Sequence, residues 1–314
     1  MNQKVIRIQF TDFWPNFKPS NFYLYNILTK KYTIEISDSP DILFYSVYSK
    51  NHYKYNCTKV FFTGENIRPN FSECDFAFSF DYSNDSRNYR LPLFAIYDDV
   101  NKLIRKGNLE AIKLREKKKF CCFIVSNPSN EIRNNFFKLL SKYKHVDSAG
   151  SLYNNIGGPV EIKRDFIKDY KFVIAFENSS HPGYVTEKIF EPLLENCIPI
   201  YWGTDTVTKD FNPKRFINFH DFNSPEEVVK HILEIDNDDQ KYLEYLNEPS
   251  FLHNELPNYL KEENILQKLE IILNEHLNRN SWKKMQHYMR PLLLISLQVI
   301  SKVQDKTNTC KFWS

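Results

Sequence analysis

An acidic and a basic residue stand side by side where a polar loop runs into a predicted helix. The loop follows the apolar run Phe172–Phe176 and ends in the segment Gly183-Tyr184-Val185-Thr186-Glu187-Lys188. Because the start of a helix presents backbone N–H groups and the positive end of the helix dipole, it favours a phosphate group. Lys188 adds a full positive charge, and Glu187 adds an acceptor for a sugar hydroxyl or a partner for a developing cation. The pattern indicates a site for a nucleotide-sugar diphosphate that needs no metal ion.

Two further polar loops follow predicted strands. One is Thr63-Gly64-Glu65-Asn66, and the other is Ser126–Asn130, which leads to Arg133. Open α/β sheets bind ligands at the carboxyl ends of their strands, so we expect a cleft to bring these loops and the Lys188 loop together. A carboxylate such as Glu65 can take the proton of an attacking hydroxyl, which typically contributes about 10²–10⁴-fold to the rate.

The elements that must position these loops alternate between short apolar strands and amphipathic helices, which is typical of a parallel α/β sheet. In the first part of the chain we predict strands at Val5–Phe10, Tyr32–Ile36, Ile42–Tyr45, Lys59–Thr63 and Phe76–Phe80, with a helix at Phe22–Lys30. In the second part we predict strands at Phe120–Val125, Phe172–Phe176 and Ile198–Trp202, and helices at Glu131–Tyr143 and Thr186–Asn196. From Pro225 to about Asn280 the spacing of Leu and Ile predicts mainly helix.

The charged stretch Asn101–Lys119 is the predicted linker between two α/β domains. We therefore expect an N-terminal α/β domain over residues 1–115 and a C-terminal α/β domain over residues 116–280, facing each other across a cleft; by the resemblance given below, these would be the acceptor-side and the donor-binding Rossmann-like domains. Residues 281–314 form a tail with a basic start and an apolar run around Leu292–Ile300. The tail either packs back on the N-terminal domain, which we favour, or rests as an amphipathic helix on an anionic membrane surface.

Composition excludes several classes of protein. The 314 residues suffice for two domains, and 42 Lys and Arg against 39 Asp and Glu are too balanced for a nucleic-acid coat. No segment has the features of a signal peptide, and none reaches the length of apolar chain that crosses a bilayer. The six cysteines match neither a zinc site nor a disulfide framework, and Cys121 and Cys122 are expected to be buried thiols. We therefore predict a reduced, cytoplasmic setting, and a membrane association that is at most peripheral.

The segments around these loops resemble glycosyltransferase family 10, the α1,3/4-fucosyltransferases of bacteria and animals. They lie in the family's order between about residues 60 and 222, and the loop Gly183–Lys188 is the most specific. The matching segments are Phe62–Asn66, Cys74–Asp81, Val125–Asn127 with Arg133, Phe176–Asn178, Gly183–Lys188, Ile198–Gly203, Lys209–Pro213 and Phe216–Phe222. The first fifty and the last eighty residues show little resemblance, so the acceptor is not indicated.

The resemblance implies two Rossmann-like domains facing across a cleft, the GT-B-type fold, with GDP-β-L-fucose bound in the second. It implies that Glu65 is the general base of an inverting transfer and that Arg133 and Lys188 bind the diphosphate. Asn178, Tyr184 and Glu187 would line the GDP-fucose site, and Glu187 is also a catalytic candidate. The implied reaction moves L-fucose to GlcNAc or Glc of a galactose-containing glycan such as LacNAc, as in synthesis of Lewis antigens or a lipopolysaccharide O-antigen. GDP-fucose is a substrate, and we expect no cofactor and no essential metal.

Structural interpretations stand beside these functional ones. Glu65 could be a solvated turn residue, Arg133 could form a surface ion pair, and Glu187 with Lys188 could lie on a solvated face. Glu195 is expected to be a helix-end acid, Trp202 a core residue, and Asp236–Asp239 a capped turn rather than a metal site. Two other functions also remain open: transfer of a different sugar from its nucleotide, and glycan or nucleotide binding without catalysis.

Overall fold

The computed structural model describes residues 5–105, 107 and 117–276. The tail predicted over residues 281–314, and most of the predicted linker, lie outside the described residues. The chain separates into two compact units, Met1–Ile265 and Leu266–Ser314. The first unit holds both sheets described below, and residues 266–276, the described part of the second, are helical.

Six described strands in the first part of the chain form one parallel sheet. It is built in the order β2-β1-β3-β4-β5-β6, and each neighbouring pair is parallel. Helix α1 (Tyr23–Thr29) connects the first two strands, and α2 (Phe94–Tyr97) follows the last. The strands are β1 (Val5–Thr11), β2 (Thr33–Ile36), β3 (Ile42–Tyr45), β4 (Thr58–Phe62), β5 (Phe76–Ser79) and β6 (Asn88–Arg90).

Five described strands of the second part form another parallel sheet, in the order β11-β10-β9-β7-β8. Its strands are β7 (Lys119–Phe123), β8 (Val146–Ser148), β9 (Tyr170–Phe176), β10 (Ile198–Trp202) and β11 (Ile217–Asn218). Its helices are α3 (Glu131–Tyr143), α4 (Lys163–Ile167), α5 (Glu187–Leu194), α6 (Pro225–Asp236) and α7 (Asp239–Asn247). The predicted α/β class and the two Rossmann-like sheets are confirmed. The predicted boundary at 115/116 lies between the sheets and stays a prediction.

The two sheets share one winding pattern. In each, the chain lays its second strand on one side of the first and then crosses to the other side, so β1 lies between β2 and β3, and β7 lies between β8 and β9. The crossing leaves a crevice at the carboxyl ends of the two strands where the direction reverses, and ligands of such sheets bind there. In the second sheet this crevice lies beyond β7 and β9.

Apolar runs form the central strands because both faces of a parallel sheet are covered. All four residues of β3 are buried, whereas β2 at the sheet edge is largely exposed. In the second domain the core joins Phe123 and Phe176 of the sheet to Phe136 of α3 and Ile232 of α6. Cys121 and Cys122 are buried free thiols, as predicted.

The prediction of mainly helix after Pro225 is confirmed for the described residues, since α6, α7 and residues 262–276 are helical. Residues 248–261, however, contain only single turns of 3-10 helix, at Leu252–Asn254 and Asn258–Leu260. Pro249 and Pro257 interrupt the helical pattern because proline lacks a backbone N–H and disfavours helix in the residue before it. The predicted capped turn is present, since the Asp238 side chain accepts from the backbone of Gln240 and Lys241. Within the described ranges, no helix has the combined length and apolarity needed to cross a membrane.

Candidate active site

The loops that follow β7 and β9 contact each other beside the crevice of the second sheet. Asn130, at the end of the first loop, caps helix α3 by accepting a hydrogen bond from the Arg133 backbone. Its side-chain amide donates to the carbonyl oxygen of Glu177 at 2.8 Å. A single side chain therefore sets the start of α3 and fixes the loop beyond β9.

Arg133 lies inside this junction rather than on the surface. Its guanidinium donates from Nη1 to Asn178 Oδ1 at 2.8 Å and from Nη2 to the carbonyl of Asn127 at 2.6 Å. The residue is 0% exposed, its Nε has no partner among the described residues, and burial lowers the pKa of its guanidinium. The alternative of a surface ion pair is therefore wrong. In this structure, Arg133 places its charge in the crevice and orients Asn178.

Glu177 is a fully buried carboxylate directly after β9. It accepts hydrogen bonds from the Thr186 backbone at 2.8 Å and from the Thr186 hydroxyl at 2.7 Å. The ammonium of Lys188 lies 3.4 Å from Oε2, the same carboxylate oxygen that accepts from the Thr186 hydroxyl. Burial raises the pKa of Glu177, while Lys188 and Thr186 oppose that effect. Glu177 thus anchors both the start of α5 and the Lys188 side chain.

The start of α5 is less open than the sequence suggests. Thr186 caps the helix by accepting from the Lys188 backbone, and Glu177 takes the N–H of Thr186 itself. Two backbone groups near this end of the helix are therefore already bonded within the protein. The expectation that the start of this helix presents a row of free N–H groups is therefore corrected.

Lys188 and Glu187 form a charged pair at the edge of the crevice. The Lys188 Nζ lies 3.3 Å from Glu187 Oε1 and 3.1 Å from Thr186 Oγ1, and its side chain is 19% exposed. Burial acts to lower the pKa of Lys188, but Glu177 and Glu187 outweigh it and the pKa is raised. Burial acts to raise the pKa of Glu187, but Lys188 and Lys163 outweigh it and the pKa is lowered. Both groups are therefore charged at neutral pH, and neither is a freely solvated side chain.

Gly183 and Tyr184 bring the same loop against the first domain. Gly183 has a φ of +84°, and a Cβ atom there would lie 2.5 Å from the carbonyl oxygen of Phe80. Tyr184 is almost fully buried and packs edge-on against the Phe80 ring at 5.2 Å. Burial and the carboxylates of Glu177, Glu65 and Glu187 raise the pKa of Tyr184. Little of its ring surface is free for stacking, and its place beside the three acids is set by packing.

Glu65 lies in the loop after β4, and that loop reaches the second domain. Asn66 donates a hydrogen bond from Nδ2 to Ser179 Oγ at 2.8 Å, which joins the two loops. Glu65 itself is exposed, and its Oε1 accepts from the Tyr48 hydroxyl at 2.9 Å. The structure therefore brings together all three predicted loops.

An ion pair that sequence reasoning missed crosses between the domains beside this site. Arg90, the last residue of β6, donates from Nη2 to Asp210 Oδ2 at 2.6 Å and from Nη1 to the carbonyl of Gly183 at 3.2 Å. The rings of Tyr82 and Tyr259 lie against its guanidinium at 3.9 and 5.2 Å. Sequence alone carries no signal for this contact, because its partners are far apart along the chain.

Other predicted features have structural roles. Glu195 at the end of α5 pairs with Arg164 at 2.6 Å, as a helix-end acid. Trp202 is partly buried and packs against Phe176. The part of the chain that the structure describes contains no group of three or more His, Cys, Asp or Glu side chains arranged to hold a metal ion. A cavity of about 680 Å³ between Tyr23, Asp99 and Glu262 lies elsewhere and is lined by none of the predicted site residues.

Both parts of the chain match known sequence families. Residues 8–97 match the family described as the alpha-(1,3)-fucosyltransferase FucT N-terminal domain, and residues 114–287 match the C-terminal part of glycosyltransferase family 10 (fucosyltransferase). The chain is 35% identical over 269 residues to the alpha-(1,3)-fucosyltransferase FucT of Helicobacter pylori, covering 73% of this chain and 56% of that protein. It is 32% identical over 134 residues to the mouse 4-galactosyl-N-acetylglucosaminide 3-alpha-L-fucosyltransferase 9, covering 42% of this chain and 37% of that protein. The chain thus spans about half the length, or less, of these curated relatives.

Solved structures show the same fold. A crystal structure of an alpha1,3-fucosyltransferase with GDP-fucose superposes with a TM-score of 0.73 at 30% identity, covering 85% of this chain and 90% of the other. A structure of an alpha1,3-fucosyltransferase with GDP gives a TM-score of 0.72, also at 30% identity, and covers 87% and 91%. These two superpositions confirm the predicted fold of two Rossmann-like domains.

Proposed function

Because this chain belongs to glycosyltransferase family 10, we propose that it is an α1,3-fucosyltransferase that takes L-fucose from GDP-β-L-fucose. One observation carries the proposal most directly. The Lys188 ammonium lies at the crevice of the second sheet, held by Glu177 and Glu187 at 3.4 and 3.3 Å. A cation fixed at that point meets the negative charge that grows on a departing nucleotide diphosphate, and it does so without rearrangement.

The reaction we propose is an inverting displacement. The acceptor hydroxyl oxygen bonds to the anomeric carbon of fucose as the bond from that carbon to the diphosphate oxygen breaks. Glu65 takes the hydroxyl proton, and GDP leaves with the electron pair. A β-linked donor then gives an α-linked product.

Several side chains prepare the donor site in this proposal. Lys188 binds the diphosphate, while Arg133 contributes its buried charge to the same crevice and holds Asn178 in place. Glu187 is ionised and stands where it can stabilise positive charge on the fucose ring or accept from a sugar hydroxyl. Tyr184 forms the wall between this carboxylate and the first domain.

For the acceptor we propose GlcNAc or Glc within a galactose-containing unit such as LacNAc. The name of the mouse relative, 4-galactosyl-N-acetylglucosaminide 3-alpha-L-fucosyltransferase 9, supports this class of acceptor. Formation of α1,4 linkages, and a place in Lewis-antigen or O-antigen synthesis, belong to the same proposal. An array of β1,3- and β1,4-galactosylated acceptors, with linkage analysis of the product, tests it.

The experiment that tests the activity compares GDP-fucose with GDP-mannose and a dTDP-deoxysugar as donors. We expect release of GDP from GDP-fucose, with fucose appearing on the acceptor. Turnover of another donor instead would identify a different transferase. Measurable binding of GDP-fucose without turnover on any acceptor would identify a binding module.

The proposal includes transfer without a metal or cofactor, so EDTA should leave the rate unchanged. It also includes a cytoplasmic enzyme whose tail, residues 281–314, allows peripheral membrane contact. Co-sedimentation with anionic vesicles, comparing the full chain with one that ends at residue 280, tests that contact. Equal and negligible binding by both chains would remove it.

A further inference from the structure

Within the described ranges, Tyr48 is the residue whose side chain hydrogen-bonds the Glu65 carboxylate. Its hydroxyl donates to Glu65 Oε1 at 2.9 Å. Burial, together with the hydrogen bond and charge of Glu65, raises the pKa of Tyr48 to about 12. The phenol therefore keeps its proton at neutral pH and remains a donor to the carboxylate.

Hydrogen bonds to Asp12 fix the loop that carries Tyr48. Asp12, directly after β1, is buried and accepts hydrogen bonds from the Asn51 and His52 backbones at 2.8 and 2.9 Å and from the Ser49 hydroxyl. The Asp12 carbonyl accepts from the Tyr48 backbone at 2.9 Å. The Asp12 side chain thus holds the loop after β3 at the crevice of the first sheet, where the strand order reverses direction.

Tyr48 also offers a surface. Tyr48 is 48% exposed although its hydroxyl is hydrogen-bonded to Glu65, so its ring presents an apolar face beside the Glu65 carboxylate. Aromatic rings with one polar end suit contacts to sugars because the ring covers C–H groups while hydroxyls are bonded elsewhere. The carboxylate and the ring therefore stand together on the first domain.

We infer that Tyr48 is a positioning residue for Glu65 and that its ring forms one wall of the subsite for the acceptor sugar. This inference rests on the proposed function of Glu65 as the base. The hydroxyl holds the carboxylate in the orientation that receives the acceptor proton, and the ring limits where the acceptor ring can lie. Donor binding is independent of Tyr48, because the donor crevice lies in the second domain.

The test compares Tyr48→Phe and Tyr48→Ala with the wild type. Removing a hydrogen bond to a charged group should lower kcat about tenfold in Tyr48→Phe, with acceptor KM within about twofold. Tyr48→Ala should also raise acceptor KM, by about fivefold or more, since the ring is lost. Neither variant should change the Kd for GDP-fucose, which calorimetry measures.

Tyr53→Phe is the matched control. Tyr53 lies five residues further on, is 55% exposed, and its hydroxyl also bonds a carboxylate, that of Glu73. We expect wild-type kinetics from it. The inference is overturned if the wild type transfers fucose and Tyr48→Phe matches it in kcat, or if both Phe variants lose activity alike. It is also overturned if the loss in Tyr48→Phe follows a lower Tm or weaker GDP-fucose binding. A wild type that transfers no fucose overturns the proposed function first, and this inference with it.

Discussion

Arg90 and Asp210 form a buried ion pair of 2.6 Å that joins the last strand of the first sheet to the second domain, with side chains 10% and 0% exposed. The same arginine donates to the backbone carbonyls of Phe80 and Gly183, one in each domain. Because every charge in this cluster has a partner, the pair stabilises one particular arrangement of the Gly183 loop against the first domain.

Removing the arginine should be costly. We expect Arg90→Met to destabilise the protein by about 3–5 kcal/mol, because Asp210 would be left as a buried charge without its cation. Urea denaturation measures this. Arg87→Met is the control, since Arg87 is 45% exposed and pairs with Asp85 at the surface, where the cost should stay below about 1 kcal/mol. Equal losses from both variants would contradict the assignment.

Glu65 should be needed for transfer but not for donor binding. Glu65→Gln retains the size of the side chain and an oxygen that can accept from Tyr48, but it cannot take a proton. We expect kcat to fall by about 10²–10⁴-fold while the Kd for GDP-fucose is unchanged. Glu73→Gln, a change of the same kind elsewhere in the first domain, serves as the control. Unimpaired turnover by Glu65→Gln would remove Glu65 from the role of base.

Lys188 should matter for the diphosphate. Lys188→Ala removes the ammonium group, so GDP should bind about 10- to 100-fold more weakly. It also leaves Glu177 without its ion pair, so Tm should fall. Lys188→Arg retains the charge and should recover part of the affinity. Lys168→Ala is the control, because Lys168 pairs with Asp165 at the surface. If Lys188→Ala bound GDP as tightly as Lys168→Ala, the diphosphate would have to lie elsewhere.

Two glycines separate backbone strain from steric conflict. Gly183 and Gly157 both have φ near +90°, but a Cβ would meet Phe80 and Arg90 only at Gly183. We expect Gly157→Ala to cost about 1 kcal/mol from its left-handed backbone alone. Gly183→Ala should cost about 2–3 kcal/mol and also lower transfer, since its neighbours must shift. Thermal unfolding of the pair gives the comparison, and equal losses would mean that the Gly183 loop adapts freely.

Asp12 should make stability depend on pH in the acid range. Burial opposes its ionisation, but hydrogen bonds from Ser49, His52 and Asn51 outweigh burial and lower its pKa from 3.8 to about 2. A lowered pKa stabilises the fold above about pH 4, and that stability is lost as the pH falls towards 2. Urea denaturation between pH 6 and pH 2.5 should therefore show a smaller decline in Asp12→Asn than in the wild type. Asp38→Asn, at an exposed position, should keep the wild-type slope.

Elements with a local apolar pattern could be predicted from the sequence, whereas very short strands could not. Strands Ile42–Tyr45 and Ile198–Trp202 and helix Glu131–Tyr143 were predicted with the bounds that the structure shows, because their apolar patterns are local. The strands at Asn88–Arg90, Val146–Ser148 and Ile217–Asn218 were missed. They have two or three residues each, and pairing with a neighbouring strand makes them strands.

The site also contains residues that lie in short, recognisable segments and contacts that join distant parts of the chain. Glu65, Glu187 and Lys188 stand in short segments whose residue types already indicate chemistry. The contacts of Tyr48 with Glu65 and of Arg90 with Asp210 join residues 17 and 120 positions apart, so no local pattern reports them. Glu177 directly follows the apolar run Phe172–Phe176, but its burial and its contacts with Thr186 and Lys188 appear only in the structure.

The position of Arg90 sets a limit on engineering new specificities by exchanging halves between related enzymes. A hybrid that took its first half from a protein without an arginine at this place would leave Asp210 without its cation and the Gly183 carbonyl without the Arg90 hydrogen bond. Such hybrids should therefore be designed with Arg90, Asp210 and the Gly183 turn inherited as one set, even when the crossover point lies in the stretch between the two sheets.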